Sequence, residues 1–170
     1  MARFALTGLA ILALAGAVQA QPRSDIAAYE AFQPADRLVV SKTERTIAVY
    51  AQGRLVRTIT GIQLGDAPKG HKRFEGDERT PEGRYVIDFA NPNSAYYLSL
   101  QISYPNAADV AYAGERGQSP GGAIFIHGQP NGMSGRMHGD WTDGCIAVSN
   151  EEMDYLWEAV PDGTVIDILP

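Results

Sequence analysis

Residues 126–150 read IHGQPNGMSGRMHGDWTDGCIAVSN, and the chain around them is best read outward from this stretch. An apolar run ends at His127 and Gly128, a glycine-rich loop carries His138, and Thr142, Asp143, Gly144 and Cys145 lead into a second apolar run, Ile146 to Val148. Short apolar runs bounded by glycine, proline and asparagine read as buried strands rather than helices. Cys145 is the chain's single cysteine. It has no internal disulfide partner, so it is either a packed, inert side chain or a reactive one.

Beyond Cys145, Ser149 and Glu152 have the spacing of a capping box, and Met153, Leu156, Trp157 and Val160 fall on one face of an amphipathic helix that Pro161 stops. Thr164 to Leu169 reads as a closing strand. Upstream, Ala123 to Ile126 is a strand, Gly114 to Gly122 a loop, and Tyr104 to Ala113 suits one short helix. Tyr97 to Ser103 and Arg84 to Asp88 are strand candidates joined through a turn at Asn91, Pro92 and Asn93. Gly65 to Gly83 has too many breakers for regular structure, and irregular segments of that length inside a domain are often functional. It mixes Lys69, His71, Lys72, Arg73 and Arg79 with Glu75, Asp77, Glu78 and Glu82, as a solvated loop also would. Leu38 to Val40, Thr46 to Tyr50 and Leu55 to Leu64 alternate between short turns and read as an antiparallel meander. The sum is a domain of short strands with one clear helix, compatible with a mixed sheet or a sandwich.

The first twenty residues have the three parts of a secretory leader: Arg3, an apolar run from Ala5 to Val18, and small residues at Val18 and Ala20. The apolar run is shorter than the roughly 20 residues that span a bilayer. Cleavage after Ala20 is therefore expected, leaving residues 21–36 as a lead-in, with a short helix around Ile26 to Phe32, and residues 37–170 as one domain with no transmembrane span. The formal charge is −6, and loss of Arg3 makes the remainder one unit more negative. An acidic domain without a basic stripe argues against nucleic acid as a partner.

A cysteine attacks as thiolate, and an ordinary thiol with a pKa of about 8.5 is mostly protonated at neutral pH. A base is needed, and His127 and His138 both lie in this stretch. Gly144 permits a tight turn that aims backbone amides at a developing oxyanion. His127, His138, Asp140, Asp143 and Cys145 are also metal-ligand types, but their spacing fits no usual zinc pattern, and no metal or other cofactor is expected. Serine chemistry has little support, since Ser134 and Ser149 lie outside any Gly-X-Ser-X-Gly elbow.

The arrangement of Ile126, His127 and Gly128 with Thr142, Asp143, Gly144, Cys145, Ile146 and Asn150 resembles the YkuD-type L,D-transpeptidase catalytic domain. In that family a histidine stands some eighteen residues before the cysteine of a Ser/Thr, His, Gly, Cys tetrad, and His127 and Cys145 are eighteen apart. The tetrad's histidine is replaced here by Asp143. Lys42 to Tyr50, Phe74 to Asp77, Thr80 to Gly83, Ser103 to Asn106 and Asp140 to Asp143 are similar to the ErfK or YafK-like murein transpeptidase subgroup. The resemblance covers Leu38 to about Leu169. It implies a mainly β, sandwich-like mixed sheet with one or two short helices.

It also implies a chemistry. Cys145 is the nucleophile, His127 its base and proton donor, Gly144 part of the oxyanion turn, and Gly128 orients His127 through its carbonyl. The implied substrates are peptidoglycan stem peptides carrying meso-diaminopimelate, and some members of the subgroup detach a peptidoglycan-anchored outer-membrane lipoprotein by hydrolysis. The implied compartment is the periplasm. Stem peptides carry carboxylates, which Lys72, Arg73, Arg79 or Arg136 would pair with. Trp141 would wall the acyl site, Thr142 and Asp143 would border it, and Tyr104 and Asn106 would line it. A peptidoglycan-binding module with an inert Cys145, and a metal-dependent hydrolase, are the readings from other classes.

Overall fold

The computed structural model describes residues 33–170. The expected leader (1–20) and the helix around Ile26 to Phe32 lie outside the described residues. Eight strands and two helices follow: β1 (Arg37–Ser41), β2 (Thr46–Ala51), β3 (Arg54–Thr60), β4 (Gly83–Asn91), β5 (Ser99–Ile102), α1 (Ala107–Gly114), β6 (Ile124–His127), β7 (Ile146–Ala147), α2 (Asn150–Ala159) and β8 (Val165–Leu169). The strands hydrogen-bond in the order β3-β2-β1-β8-β4-β5-β6-β7.

The meander read from alternation is present: β1 pairs with β2 and β2 with β3, all antiparallel. In β2 the alternate residues Ile47, Val49 and Ala51 are buried. β3 ends at Thr60, short of the expected Leu64, because residues 63–65 leave the sheet's edge to bridge Ala147 and Thr142 instead. The closing strand β8 lies at the centre of the sheet, parallel to β1 and antiparallel to β4.

β4 makes the fold sandwich-like. Its first half, Gly83 to Val86, pairs with β8, and its second half, Ile87 to Asn91, pairs with β5 across a register shift between Ile87 and Phe89. A strand that changes sheets at such an irregularity forms a corner between two packed layers. Leu38, Ile47, Ile59, Ile87, Leu100, Ile102, Ile126, Ile146 and Ile166, contributed by both layers, are fully buried in one core cluster.

α2 closes that core with Met153, Leu156 and Ala159. Ser149 caps it as expected, its hydroxyl accepting from the Glu152 amide at 3.2 Å. The reciprocal half of the expected capping box differs, because the Glu152 carboxylate turns to Arg57 at 3.1 Å. A complete capping box occurs on α1 instead, between Asn106 and Asp109.

The 65–83 segment is irregular but internally satisfied. Asp77 accepts from the amides of Arg73 (2.6 Å), Phe74 (3.0 Å) and Arg79 (3.2 Å) and from Lys72 Nζ (3.0 Å). Lys42 Nζ, buried, donates to the carbonyls of Gly70 (2.6 Å) and Thr80 (3.0 Å) and to Glu82 (2.8 Å). His71 accepts the Glu82 amide at Nδ1 (2.8 Å), so its Nε2 carries the proton donated to Asp109 (2.9 Å). These bonds tie the segment to β1, α1 and the start of β4.

Leu156, fully buried, anchors α2 on this core. Leu156→Ala is expected to lower stability by about 2–5 kcal/mol, read as a fall in the urea midpoint with an unchanged slope.

Candidate active site

β6 and β7 run parallel, with Ile126 opposite Ile146 and His127 opposite Ala147. Continued by one step, that register sets Cys145 against Phe125, and the Phe125 amide lies 3.4 Å from Cys145 Sγ. Residues 125, 127, 145 and 147 share parity, so His127 and Cys145 project from one face of the sheet, two register positions apart. Both line a cavity of about 640 Å³ that also includes Tyr96, Trp141, Thr142 and Asp143.

The imidazole of His127 is held in one tautomer. Nδ1 lies 2.7 Å from the Gly128 carbonyl oxygen, and a carbonyl only accepts, so Nδ1 bears the proton and Nε2 is left with a free lone pair. The ring of Tyr96 lies against it, 4.7 Å between centroids, and Trp141 meets it edge-on at 5.6 Å. Burial pulls His127 below the ordinary imidazole range, more than the Gly128 bond raises it. Burial likewise pushes the Cys145 thiol up, and the nearby Asp143 charge adds to this, against the opposing pull of the Phe125 amide and Lys72. Both shifts favour a neutral thiol and a neutral imidazole at rest, and the thiol's hydrogen-bond partners are the Ala123 carbonyl, to which it donates at 3.6 Å, and the Phe125 amide.

The turn before Cys145 is shaped by Thr142 and Gly144. Thr142 Oγ1 donates to the Cys145 carbonyl at 2.7 Å and accepts the Gly144 amide at 3.2 Å. The Gly144 amide is thus already engaged, which departs from its expected place as an oxyanion donor. Gly144 has φ +123°, and a Cβ there would sit 2.5 Å from the Arg79 carbonyl oxygen. Only glycine fits that conformation and that gap. Gly128 is similarly confined: a Cβ would fall 2.7 Å from Asn150 Oδ1 and 2.8 Å from Tyr97 Cβ.

Two buried amides that the sequence did not flag hold the loop. Gln63 Nε2 donates to the carbonyls of Met137 (2.7 Å) and Gly139 (2.6 Å), while its backbone exchanges bonds with Ala147. Gln129 Nε2 donates to the Val148 carbonyl (2.7 Å), and its Oε1 accepts the Met137 amide (2.8 Å). Asp140 takes a bidentate pair from Arg45 (2.8 and 2.7 Å) and accepts the Leu64 amide at 2.9 Å. A lone Gln or Asp in a strand or loop has no sequence signature for such a role. Tyr96 left only a weak signal, an aromatic pair with Tyr97 beside a turn.

The structure brings Cys145, His127, Trp141, Thr142 and Asp143 together, and it does not bring the expected cations to them. Lys72 is buried and bound to Asp77 at 3.0 Å. Arg73 stacks over Tyr112 at 4.3 Å. Arg136 donates to the Gly61 carbonyl and, with His138 and Asp140, lines a separate cavity of about 470 Å³. Arg79 is not among the residues lining the Cys145 cavity. Tyr104 is buried with its hydroxyl on the Pro120 carbonyl (3.0 Å), and Asn106 caps α1, so neither lines the cavity. Because His138 and Asp140 line the other cavity, the five candidate ligand residues of the metal reading are divided; among the described residues no three His, Cys, Asp or Glu side chains converge.

The family model for the YkuD L,D-transpeptidase catalytic domain matches residues 35–168. The chain belongs to this L,D-transpeptidase family. It is 29% identical over 136 residues to the putative L,D-transpeptidase YafK of Escherichia coli, covering 74% of this chain and 47% of that protein. Among solved structures, a point mutant of the helical cell shape determining protein Pgp2 from Campylobacter jejuni is 28% identical with TM-score 0.62, covering 80% of this chain and 47% of that one. Bd1075 of Bdellovibrio bacteriovorus is 27% identical with TM-score 0.54, covering 82% and 49%. This L,D-transpeptidase domain spans about half the length of the relatives it matches.

Two outcomes check the site's geometry. The rate of Cys145 alkylation by iodoacetamide is expected to climb with a midpoint above the ordinary thiol value, without a thiolate plateau between about pH 5 and 7; such a plateau would instead reveal a resting thiolate–imidazolium pair. Gly144→Ala is expected to cost at least about 2 kcal/mol through backbone strain and contact with Arg79, measured by thermal unfolding, and to change the alkylation rate.

Proposed function

We propose that this domain is a cysteine acyltransferase of the periplasm, acting on peptidoglycan stem peptides at a diaminopimelate carbonyl. The observation that carries the reading is the His127 tautomer, with Nδ1 bonded to the Gly128 carbonyl at 2.7 Å and Nε2 free on the face that Cys145 shares. Membership of the L,D-transpeptidase family supports the substrate class, and the leader-like first twenty residues support the compartment.

In this mechanism Nε2 of His127 takes the thiol proton as Cys145 Sγ bonds to the carbonyl carbon. The carbonyl electrons move to oxygen, and the Cys145 amide is the donor left at the turn to receive that charge, since the Gly144 amide is engaged with Thr142. Collapse expels the amine, which leaves with the proton from His127, and a thioester remains. An incoming amine then gives transpeptidation, while water gives hydrolysis, including release of a lipoprotein joined through such a bond. The raised thiol and lowered imidazole suit proton transfer concerted with attack rather than a standing ion pair.

The test is incubation of the protein with muropeptides of defined length, with and without a lipoprotein-linked stem, followed by mass measurement. A Cys145 acyl adduct and an exchanged or hydrolysed product are expected. Cys145→Ser should abolish the adduct, and His127→Ala should slow its formation by about 10²–10⁴-fold. A thiol that reacts with neither stem peptide nor iodoacetamide would favour a binding module with an inert cysteine. Turnover that survives Cys145→Ser and stops with a chelator would favour metal chemistry.

A further inference from the structure

Among the residues that line the Cys145 cavity, Asp143 alone carries a formal charge when His127 is neutral. Two other aspartates near this site are committed, Asp77 to Lys72 and three amides and Asp140 to Arg45 and Leu64, and Asp66, whose amide bonds to the Thr142 carbonyl, does not line the cavity. Asp143 is exposed and, among the described residues, takes part in no ion pair. Lys72 is bound to Asp77, Arg73 lies over Tyr112 and Arg136 donates to the Gly61 carbonyl, so Asp143 is the charged side chain on the cavity wall.

We propose that this cavity reads a primary ammonium group on its substrate, with the Asp143 carboxylate as counter-ion and the rings of Tyr96 and Trp141 as walls. The inference rests on the acyl-transfer reading of the same site and names what that site selects. Tyr96 and Trp141 pack against each other and both line the cavity, and an aromatic face within about 6 Å of a cation attracts it. An uncompensated carboxylate two residues from the nucleophile opposes thiolate formation. A bound ammonium offsets that opposition, so the charge that hinders the empty site assists the occupied one. A nucleophilic amine must lose its proton, which a neighbouring carboxylate resists. The ammonium held by Asp143 is therefore the non-reacting one of the acyl donor, such as the distal amine of a diamino acid.

The first test needs no peptidoglycan. Aminoethyl methanethiosulfonate and sulfonatoethyl methanethiosulfonate carry one warhead on opposite charges. In each, Cys145 sulfur attacks the sulfenyl sulfur, its proton passes to His127 or water, and methanesulfinate leaves with the electron pair of the broken S–S bond. Normalised to a small free thiol, the ammonium-to-sulfonate rate ratio is expected to be about tenfold or more for the native protein and to shrink with added salt. Asp143→Asn should bring it close to one. A ratio near one in the native protein, or one unchanged by Asp143→Asn, overturns the proposal.

The second test assigns the ammonium to the donor. Cys145 acylation is timed with a stem tetrapeptide bearing a free distal amine and with the same peptide acetylated there. The native protein should prefer the free amine by about tenfold, and Asp143→Asn should lose that preference. Equal rates in the native protein overturn the donor assignment. If neither peptide acylates Cys145, the acyl-transfer reading falls, while the reagent ratio still decides whether the cavity selects cations.

Discussion

The parallel pairing of β6 with β7 is the constraint on which the site depends. Parallel neighbours need a crossover connection of a dozen or more residues, and here that connection is the loop between His127 and Cys145. The eighteen-residue spacing thus has a structural meaning. It is the length of chain that leaves the end of one short strand and returns to the start of its parallel neighbour. The register then does the rest: Ile126 against Ile146 puts the His127 and Cys145 side chains on one face. A one-residue slip would turn Cys145 into the core and His127 away from it.

A crossover of this kind ordinarily contains a helix, which satisfies its own backbone. This one does not, so its amides and carbonyls need other partners. Gln63 and Gln129 supply partners to Met137 and Gly139 and are joined side chain to side chain at 3.3 Å, while Asp140 ties the crossover to the Leu64 amide and Arg45. Residues 63–66 act as an added strand, exchanging backbone bonds with Ala147 and Thr142. The Arg45–Asp140 pair extends the same support to the β1–β2 turn. The site is therefore braced from the first sheet layer, although its reactive groups belong to the second.

This division explains what the sequence disclosed. The β1–β3 meander was legible because Ile47 and Val49 alternate with polar neighbours, and α2 because Met153, Leu156 and Val160 recur at helical spacing. His127 and Cys145 were legible because their residue types are rare and chemically directed. The central place of β8 was not, since Val165 to Leu169 has the same apolar character whether it pairs with β1, β4 or an edge. Lys72 was expected to meet a substrate carboxylate, whereas in the fold it pairs with Asp77, and His71 in the same segment binds Asp109. Composition records charges but not the partners that the fold assigns. The capping box was misplaced for a similar reason: Glu152 has Arg57 within reach, while Asp109 folds back onto the Asn106 amide at 3.0 Å.

The electrostatic character of the pair follows from this packing. A thiol set against β6 and an imidazole packed against Tyr96 and Trp141 both lose hydration, and both are driven toward their neutral forms. The cost is a small standing fraction of thiolate. Two things offset it. A thiol of higher pKa is the stronger nucleophile once ionised, and in the tetrahedral adduct it forms it competes less well with the amine as the group that leaves. An imidazole kept neutral, with Nδ1 held by Gly128, presents its lone pair without waiting for deprotonation. In the proposed acyl transfer, the burial that suppresses the resting ion pair therefore keeps the base ready and makes the tetrahedral adduct of the first step less apt to fall back by expelling the thiolate.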